Sequence, residues 1–241
     1  MRGLSTAELD VENFAMITHS VPVERVRDHV PEMFELDTIV DASGETRALI
    51  TASCFCNRDF HWSAIPQLTH DFNQNTFRTY VTYKGLKGSY FFGTYVGTRL
   101  SFVGQCIVAA NSYYGDFEVD TSGGASGYPS YSCRTEVEHG RISFELTAVD
   151  KVEPKAPFST GDQMAEFITH RLHGFAKSPL GFQVHGPVEH RRMRPWAGRL
   201  ISGTFDFWEM HDILFPDEFD DPYSVLVEPS VHFTLHPPRP A

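Results

Sequence analysis

The alternation of apolar and polar positions is clearest between Phe72 and Ala110, where it predicts three consecutive strands. The first strand covers about Thr76–Tyr83, the second about Ser89–Val96 and the third about Leu100–Ala110. The connection Lys84–Gly88 contains two glycines, and it is predicted to be a hairpin loop because glycine adopts positive φ without strain. We expect the rest of the chain to be arranged around this three-stranded unit.

The two faces of the first predicted strand differ in character, because side chains alternate along a strand. One face is a polar row, made of Gln74, Thr76, Arg78, Tyr80 and Thr82. Large aromatic residues occupy both faces of the second strand, with Tyr90 and Phe92 on one and Phe91 and Tyr95 on the other. Such a strand is covered on both sides. The polar row therefore faces either an interior cavity or a half-solvated outer surface, and periodicity alone leaves both open.

Two short helices are predicted outside this unit. The first begins near Pro22 and ends at Pro31. The second has a capping box, with Thr160 as N-cap and Gln163 three residues later, and it continues to about His173. Arg171 falls within its apolar stripe, where a buried guanidinium needs an anionic or carbonyl partner. Arg171 therefore satisfies a core carboxylate, extends to the rim or contacts a ligand.

Most of the remaining chain has the pattern of strands. They are predicted at Phe34–Val40, Arg47–Asn57, Tyr113–Val119, Tyr131–Val137, Arg141–Val149, Phe182–His190, Arg199–Trp208 and Ser224–Leu235. Residues before Phe14 are expected to be loosely attached, and Thr121–Ser130 is expected to be a turn or flexible loop. The pattern predicts a mainly β fold, and the 241 residues suffice for a single domain, 1–241.

Charge and hydropathy exclude several classes of partner. The formal net charge of -11 argues against nucleic acid and anionic membrane surfaces as partners. No stretch has the length and apolarity of a transmembrane span, and the N-terminus has no apolar segment typical of a signal peptide. We therefore expect a cytoplasmic protein. Assembly into a homo-oligomer is left open.

Sequence motifs for cofactors and metals are missing. The chain has no phosphate-binding loop, dinucleotide fingerprint, H-E-x-x-H or G-x-S-x-G motif. The cysteines Cys54, Cys56, Cys106 and Cys133 form no C-x-x-C pair and are expected to be buried free thiols. The 12 histidines are scattered, and those near one another in sequence are His170, His173, His185 and His190. No third ligand follows at a telling spacing, so no metal and no cofactor are predicted.

The stretch FNQNTFRTYVTYKGLKGSYFF resembles the core of the DUF2071 family. The matching residues are Arg78, Thr79, Tyr80, Val81, Gly88, Phe91 and Phe92. Phe167–Arg171 resembles a helix of that family, so Arg171 matches its arginine, and Val188–His190 with Pro195-Trp196 resembles a further segment. The resemblance extends from about Phe14 to Leu235.

The resemblance implies membership of the acetoacetate decarboxylase-like superfamily. It implies an antiparallel, cone-shaped β-barrel that encloses a small-molecule cavity, with two short helices packed on it and the polar row of Arg78 facing inward. In the decarboxylases a buried lysine on the strand after the hairpin forms a Schiff base. Here the corresponding region Gly104–Asn111 contains no lysine. Gln74 and Thr76 also replace the usual glutamate and asparagine, so the chemistry and the ligand are expected to differ.

These observations favour a small-molecule enzyme of the lyase, dehydratase or cyclase type. It would act on a carbonyl-bearing or acidic substrate by non-covalent acid–base chemistry. The predicted catalytic residues are Arg78, Tyr80 and His190, with His70 as a second histidine candidate. The predicted substrate-binding residues are Gln74, Thr76, Arg171, Phe92, Tyr113 and Trp196. The alternatives are a non-catalytic binding protein with an aromatic-lined pocket and, less favoured, a histidine-based metal enzyme.

Overall fold

The computed structural model describes residues 6–102, 111–138 and 140–241. Fourteen strands of the described residues lie in one continuous sheet, which confirms the expected mainly β fold. The strands are β1 Ala7–Pro22, β2 Glu35–Leu36, β3 Thr38–Val40, β4 Thr46–Trp62, β5 His70–Tyr83, β6 Leu86–Val96, β7 Ser112–Gly124, β8 Gly127–Val137, β9 Gly140–Asp150, β10 His173–Lys177, β11 Gln183–Glu189, β12 Trp196–Phe205, β13 Ser224–Leu235 and β14 Arg239–Pro240. The helices are α1 Val23–Arg27, α2 Gly161–Thr169 and α3 Asp206–Glu209, with a 3-10 turn at Pro216–Glu218 and a further helical segment at residues 99–102.

Within the described ranges, no helix has both the length and the apolar character needed to cross a membrane.

Five strands form a wall that belongs to two closed rings. The wall has the order β13-β1-β4-β5-β6. One ring closes through β7, β8, β9 and β12, and the other closes through β10 and β11. Both closures are possible because β6 divides its outer edge: Ser89–Phe91 pair with β10, and Thr94–Val96 pair with β7. These two pairings of β6 are parallel, unlike the antiparallel arrangement expected throughout.

The two faces of the wall carry separate apolar cores. The first core contains Phe77 of β5 together with inward residues of β8 and β9, such as Tyr131 and Phe144. The second core contains Tyr80 of β5 and packs against Ile168 of α2. Both faces of β5 are therefore buried. The predicted division of aromatic residues on the second strand is wrong for Tyr95, which lies in the first core with Tyr90 and Phe92, because the register shifts between Phe77 and Arg78.

Irregular pairings keep the apolar side chains in phase with these cores. Asn13 of β1 has φ 51, and the register shifts between Glu12 and Ala15, so that Val11 and Phe14 reach the same core. A bulge adds one residue to one strand and reverses the order of inward and outward positions beyond it. A long strand can thus serve one core along its whole length.

Helix α2 begins where the capping pattern predicted. The Thr160 hydroxyl accepts a hydrogen bond from the Gln163 amide, and the Gln163 side chain accepts one from the Ser159 amide. The helix ends at Thr169, earlier than the expected end near His173. The chain then extends into β10, because His173–Lys177 pairs with both β6 and β11.

Three other predictions need correction. The described residues before Phe14 are not loose, because Ala7–Glu12 pairs with β13 on one side and β4 on the other. The segment Thr121–Ser130 contains the expected turn only at residues 125–126, and the rest is not a flexible loop but the paired end of the β7–β8 hairpin, where Gly123, Gly124 and Gly127 take positive φ. The predicted third strand, Leu100–Ala110, begins with helical residues at 99–102, and its remainder lies outside the described residues.

Because β9 and β12 are in close contact, we predict that replacing Gly198 of β12 lowers the stability of the protein. A Cβ atom on Gly198 would lie 1.6 Å from the Thr147 carbonyl oxygen, so Gly198→Ala must displace β12 from β9. We expect a loss of about 2 kcal/mol or more in the free energy of unfolding, measured by urea denaturation. Gly186→Ala is the matched control, because nothing lies within 4 Å of its added Cβ. Its effect should stay within about 0.5 kcal/mol, and equal losses in both variants would contradict the prediction.

Candidate active site

The polar row of β5 faces the second core and forms a connected set of hydroxyl groups. The Tyr80 hydroxyl lies 2.6 Å from the Thr51 hydroxyl, which in turn lies 2.9 Å from that of Thr18. Thr76 makes a similar 2.6 Å contact with Ser53. These contacts follow from the register of β4 and β5, which places hydroxyl residues opposite one another. Arg78 lies between Thr76 and Tyr80 in this row.

Arg78 is a buried cation, and among the residues that the structure describes no carboxylate pairs with it. Only 8% of the residue is exposed. Its Nη2 donates to the carbonyl oxygen of Ile168 at 3.4 Å, and its buried Nε has no hydrogen-bond partner. Burial lowers the pKa of Arg78, and the charge of Arg171 lowers it further, although Tyr80 acts in the opposite direction. A guanidinium remains charged under these conditions, and an unpaired buried charge is costly.

Arg171 is buried as well, but its charge is compensated. Its Nη1 forms an ion pair with Asp37, and its Nε donates to the carbonyl oxygen of Phe167 at 2.7 Å. Asp37 is held in place by a hydrogen bond from the Thr82 hydroxyl at 2.6 Å. Of the alternatives for this arginine in an apolar stripe, the structure therefore shows the core carboxylate. Its Nη2 is still unpaired, and its guanidinium lies 5.0 Å from the Tyr80 ring centre.

His190 lies beside these residues with one ring nitrogen free to act as a base. Its Nδ1 is 2.7 Å from the carbonyl oxygen of Arg191, so Nδ1 carries the proton and Nε2 carries the lone pair. The ring stacks on Phe233 and meets the His170 ring at a centroid distance of 5.2 Å. Burial lowers the pKa of His190 to about 4, and the charges of His170 and Arg78 add to this effect. His190 is therefore neutral at physiological pH.

A buried carboxylate on β13 positions the segment that carries His190. Glu228 is 2% exposed, and its two oxygens accept hydrogen bonds from Arg191 Nη2 at 2.6 Å and from the Arg194 amide at 2.7 Å. Because Arg191 supplies the carbonyl that binds His190, this clamp also determines the orientation of the imidazole. Glu228 is not among the residues predicted from the sequence, although a single carboxylate within the apolar run VLVEPSV is a signal that could have identified it.

The structure brings part of the predicted site together and separates the rest. Arg78, Tyr80, Thr76, Arg171 and His190 gather on the second core. Gln74 lies farther along the same strand and accepts a hydrogen bond from Asn57 at 3.1 Å. The aromatic residues expected in the same pocket pack against the first core, on the opposite face of the wall; these are Phe92, Tyr113 and Trp196. The candidate His70 lies near Ser101, at 3.1 Å. The roles of these residues remain predictions.

The histidines and cysteines form pairs rather than larger clusters. His170 faces His190, and His173 Nδ1 lies 3.0 Å from His185 Nε2. Within residues 6–102, 111–138 and 140–241, no three histidine, cysteine or acidic side chains are arranged to hold a metal ion. Cys54, Cys56 and Cys133 are buried free thiols, as expected, whereas Cys106 lies outside the described residues.

Comparison with known families identifies the family of this chain. The model of DUF2071, described as an uncharacterized conserved protein, matches residues 8–232. The chain belongs to the DUF2071 family. The match confirms the resemblance inferred from the strand of Arg78. The matched residues include both cores and the segment that carries His190. No curated protein is significantly similar to this DUF2071 chain in sequence.

Solved structures show that this DUF2071 protein has the acetoacetate decarboxylase-like fold. The enduracididine biosynthesis enzyme MppR, complexed with pyruvate, superimposes with a TM-score of 0.66 at 14% identity, covering 100% of this chain and 91% of that chain. An acetoacetate decarboxylase from Legionella pneumophila gives 0.67 at 11% identity, covering 99% and 88%. An acetoacetate decarboxylase-like enzyme from Sphingomonas wittichii RW1 gives 0.65 at 11% identity, covering 98% and 93%. The expected fold is therefore confirmed.

The lowered pKa of His190 predicts a pH-dependent part of the stability. Between pH 6.5 and about 4 the unfolded chain binds a proton at this histidine that the folded chain does not, so the free energy of unfolding falls as the pH falls. His190→Gln should reduce this decline, whereas His61→Gln, at the end of β4, should reduce it less. The measurement is urea denaturation at several pH values. Equal declines in the wild type and His190→Gln would refute the assignment.

Because Glu228 holds the segment of Arg191 and Arg194, we predict that replacing Glu228 changes the pKa of His190. Glu228→Gln places an amide donor against the donors of Arg191 and Arg194, so the segment should loosen and the imidazole should become more hydrated. We expect the pKa of His190 to rise toward its ordinary value, measured by NMR titration of the ring protons. Glu166→Gln is the matched control, because Glu166 pairs with the neighbouring Arg192 at the surface. The clamp has no such role if both variants titrate like the wild type.

Proposed function

We propose that this DUF2071 protein is a small-molecule enzyme of the lyase, dehydratase or cyclase type. Its substrate carries a carboxylate beside a carbonyl group, and the reaction proceeds by acid–base chemistry without a covalent lysine intermediate. The observation that carries this proposal is the buried Arg78, whose Nε has no partner and which no carboxylate among the described residues neutralises.

The contrast with Arg171 supports a ligand role for Arg78. Asp37 neutralises Arg171, which makes that arginine part of the structure. Arg78 has one carbonyl contact at 3.4 Å and keeps its charge uncompensated. Burying an unpaired charge is costly, and positions that keep such a charge are often ligand sites. A guanidinium binds a carboxylate through two parallel hydrogen bonds, so a substrate carboxylate or an enolate oxygen suits this position.

His190 is the group best suited to transfer the proton. Its Nε2 lone pair is available at neutral pH, since Nδ1 donates to Arg191. It would remove a proton from the carbon next to the substrate carbonyl, and Arg78 would stabilise the negative charge that then develops on oxygen. Tyr80 is bound to Thr51 and presents its ring to both guanidinium groups, which supports a positioning role for it rather than proton transfer.

The distribution of lysines supports a mechanism without a Schiff base. The chain has five lysines, which are Lys84, Lys87, Lys151, Lys155 and Lys177. All five are exposed, whereas a Schiff-base lysine needs a desolvated site that lowers its pKa. The related structures support the substrate class, because MppR has been solved with pyruvate and with a condensation product of pyruvate and imidazole 4-carboxaldehyde.

Exchange of substrate protons tests the proposal. The protein is incubated in deuterated water with a panel of small 2-oxo acids, beginning with pyruvate, and loss of the protons next to the carbonyl is followed by NMR. We expect catalysed exchange in the wild type, a reduction of about 100-fold or more in Arg78→Gln and a similar reduction in His190→Gln. Borohydride should trap no covalent adduct.

The matched control is Arg192→Gln, which removes an arginine at the surface of the same region. It should exchange like the wild type. Exchange that survives in Arg78→Gln would remove Arg78 from the mechanism, and a borohydride adduct would contradict the non-covalent route. Binding of the acids without any exchange would instead favour a non-catalytic binding protein.

A further inference from the structure

The divided edge of β6 borders a cavity that does not include Arg78. β6 pairs with β10 as far as Phe91 and with β7 from Thr94, so neither pairing includes Phe92 or Gly93. A cavity of about 130 Å³ lies at this fork. Its lining includes His29, Tyr90, Phe92, Asn111, Lys177 and His211. Phe92 and Tyr90 belong to the first core, on the opposite face of the wall from Arg78.

Aromatic side chains form the sides of this cavity. The His29 ring meets the Phe92 ring at 6.4 Å and the His211 ring at 5.9 Å, both edge to face. His211 also stacks on Phe207 at 4.4 Å, which holds its ring in place. Asn111 donates to the carbonyl oxygen of Phe92 at 2.8 Å and so closes the fork on the β7 side. Rings in fixed orientations favour a flat ligand.

The charge of the lining favours an anion. Lys177 contributes an ammonium group, and none of the described residues that line the cavity carries a carboxylate. Tyr90 contributes a hydroxyl group, and burial raises its pKa to about 12, so it remains a hydrogen-bond donor at neutral pH. His211 Nδ1 donates to the carbonyl oxygen of Phe207 at 2.7 Å, which leaves Nε2 available to a ligand. The local charge is thus positive in a chain of net charge -11.

We infer that the fork of β6 is a binding site for a small aromatic carboxylate, with the ring between Tyr90, Phe92 and the two imidazoles and the carboxylate at Lys177. A buried water molecule needs about 10–15 Å³ of cavity volume. A cavity of about 130 Å³ therefore holds about ten non-hydrogen atoms, which is close to the size of benzoate. This site is independent of the substrate proposed for Arg78.

Calorimetric titration with benzoate tests the site. The wild type should bind benzoate saturably, and benzyl alcohol, which lacks the charge, should bind at least about fivefold more weakly. Lys177→Gln should weaken benzoate binding by a similar factor, and it should not affect folding because Lys177 is exposed. Lys151→Gln is the matched control, since this exposed lysine does not line the cavity, and it should bind like the wild type.

Two further readouts locate the ligand. The imidazole NMR signals of His29 and His211 should shift on addition of benzoate, and Arg78→Gln should bind benzoate as the wild type does. The inference is overturned if benzoate shows no saturable binding, or if Lys177→Gln and Lys151→Gln bind it equally. It is also overturned if binding is lost in Arg78→Gln and kept in Lys177→Gln, because benzoate would then occupy the Arg78 site.

Discussion

The structure depends on a five-stranded wall that must bury both of its faces. An ordinary half-exposed strand has one apolar face, but β5 has Phe77 and Val81 toward one core and Tyr80 and Arg78 toward the other. Four strands of the wall, β1, β4, β5 and β13, therefore carry side chains for both cores at once. The bulge at Asn13 and the shift between Phe77 and Arg78 correct the phase where the two sets conflict. Closure of two rings, rather than one, follows from this requirement.

The same wall also determines where polar chemistry is located. Because one face is filled by packed aromatic rings, such as Phe77 against Phe207 at 4.0 Å, buried charge collects on the other face. There the charges differ in how they are balanced. Arg171 is paired with Asp37 and Glu228 with Arg191, whereas Arg78 is unpaired among the described residues. This imbalance is the basis on which we propose Arg78, rather than Arg171 or Glu228, as the ligand position.

The sequence was sufficient for those features that depend on local patterns. The capping residues Thr160 and Gln163 and the strand Ser224–Leu235 were readable from spacing and alternation. Alternation also identified the polar row of Arg78, but it left the direction of the row open, and only the family resemblance implied that the row faces inward. Features that depend on distant pairing were not. β1 was read as loose at its start because Leu9 and Val11 are too few to indicate a strand, yet they pair with residues more than two hundred positions away.

The candidate site shows the same division. The polar row and Arg171, just after α2, were visible in the sequence, but the partner of Arg171 was not, since Asp37 lies in a short segment far along the chain. Phe92, Tyr113 and Trp196 were expected beside Arg78 because aromatic residues suit a pocket. Only the register of the strands reveals that they lie on the other face.

The pairing of β1 with β13 has a consequence for how the protein is made. Residues 7–18 find their partners in residues 224–235, so the central wall stays incomplete until nearly all of the described chain has left the ribosome. A topology with such high contact order folds slowly, and the unpaired edge of β1 stays available to other chains in the meantime. The net charge of -11 opposes association between chains during the time in which that edge is unpaired.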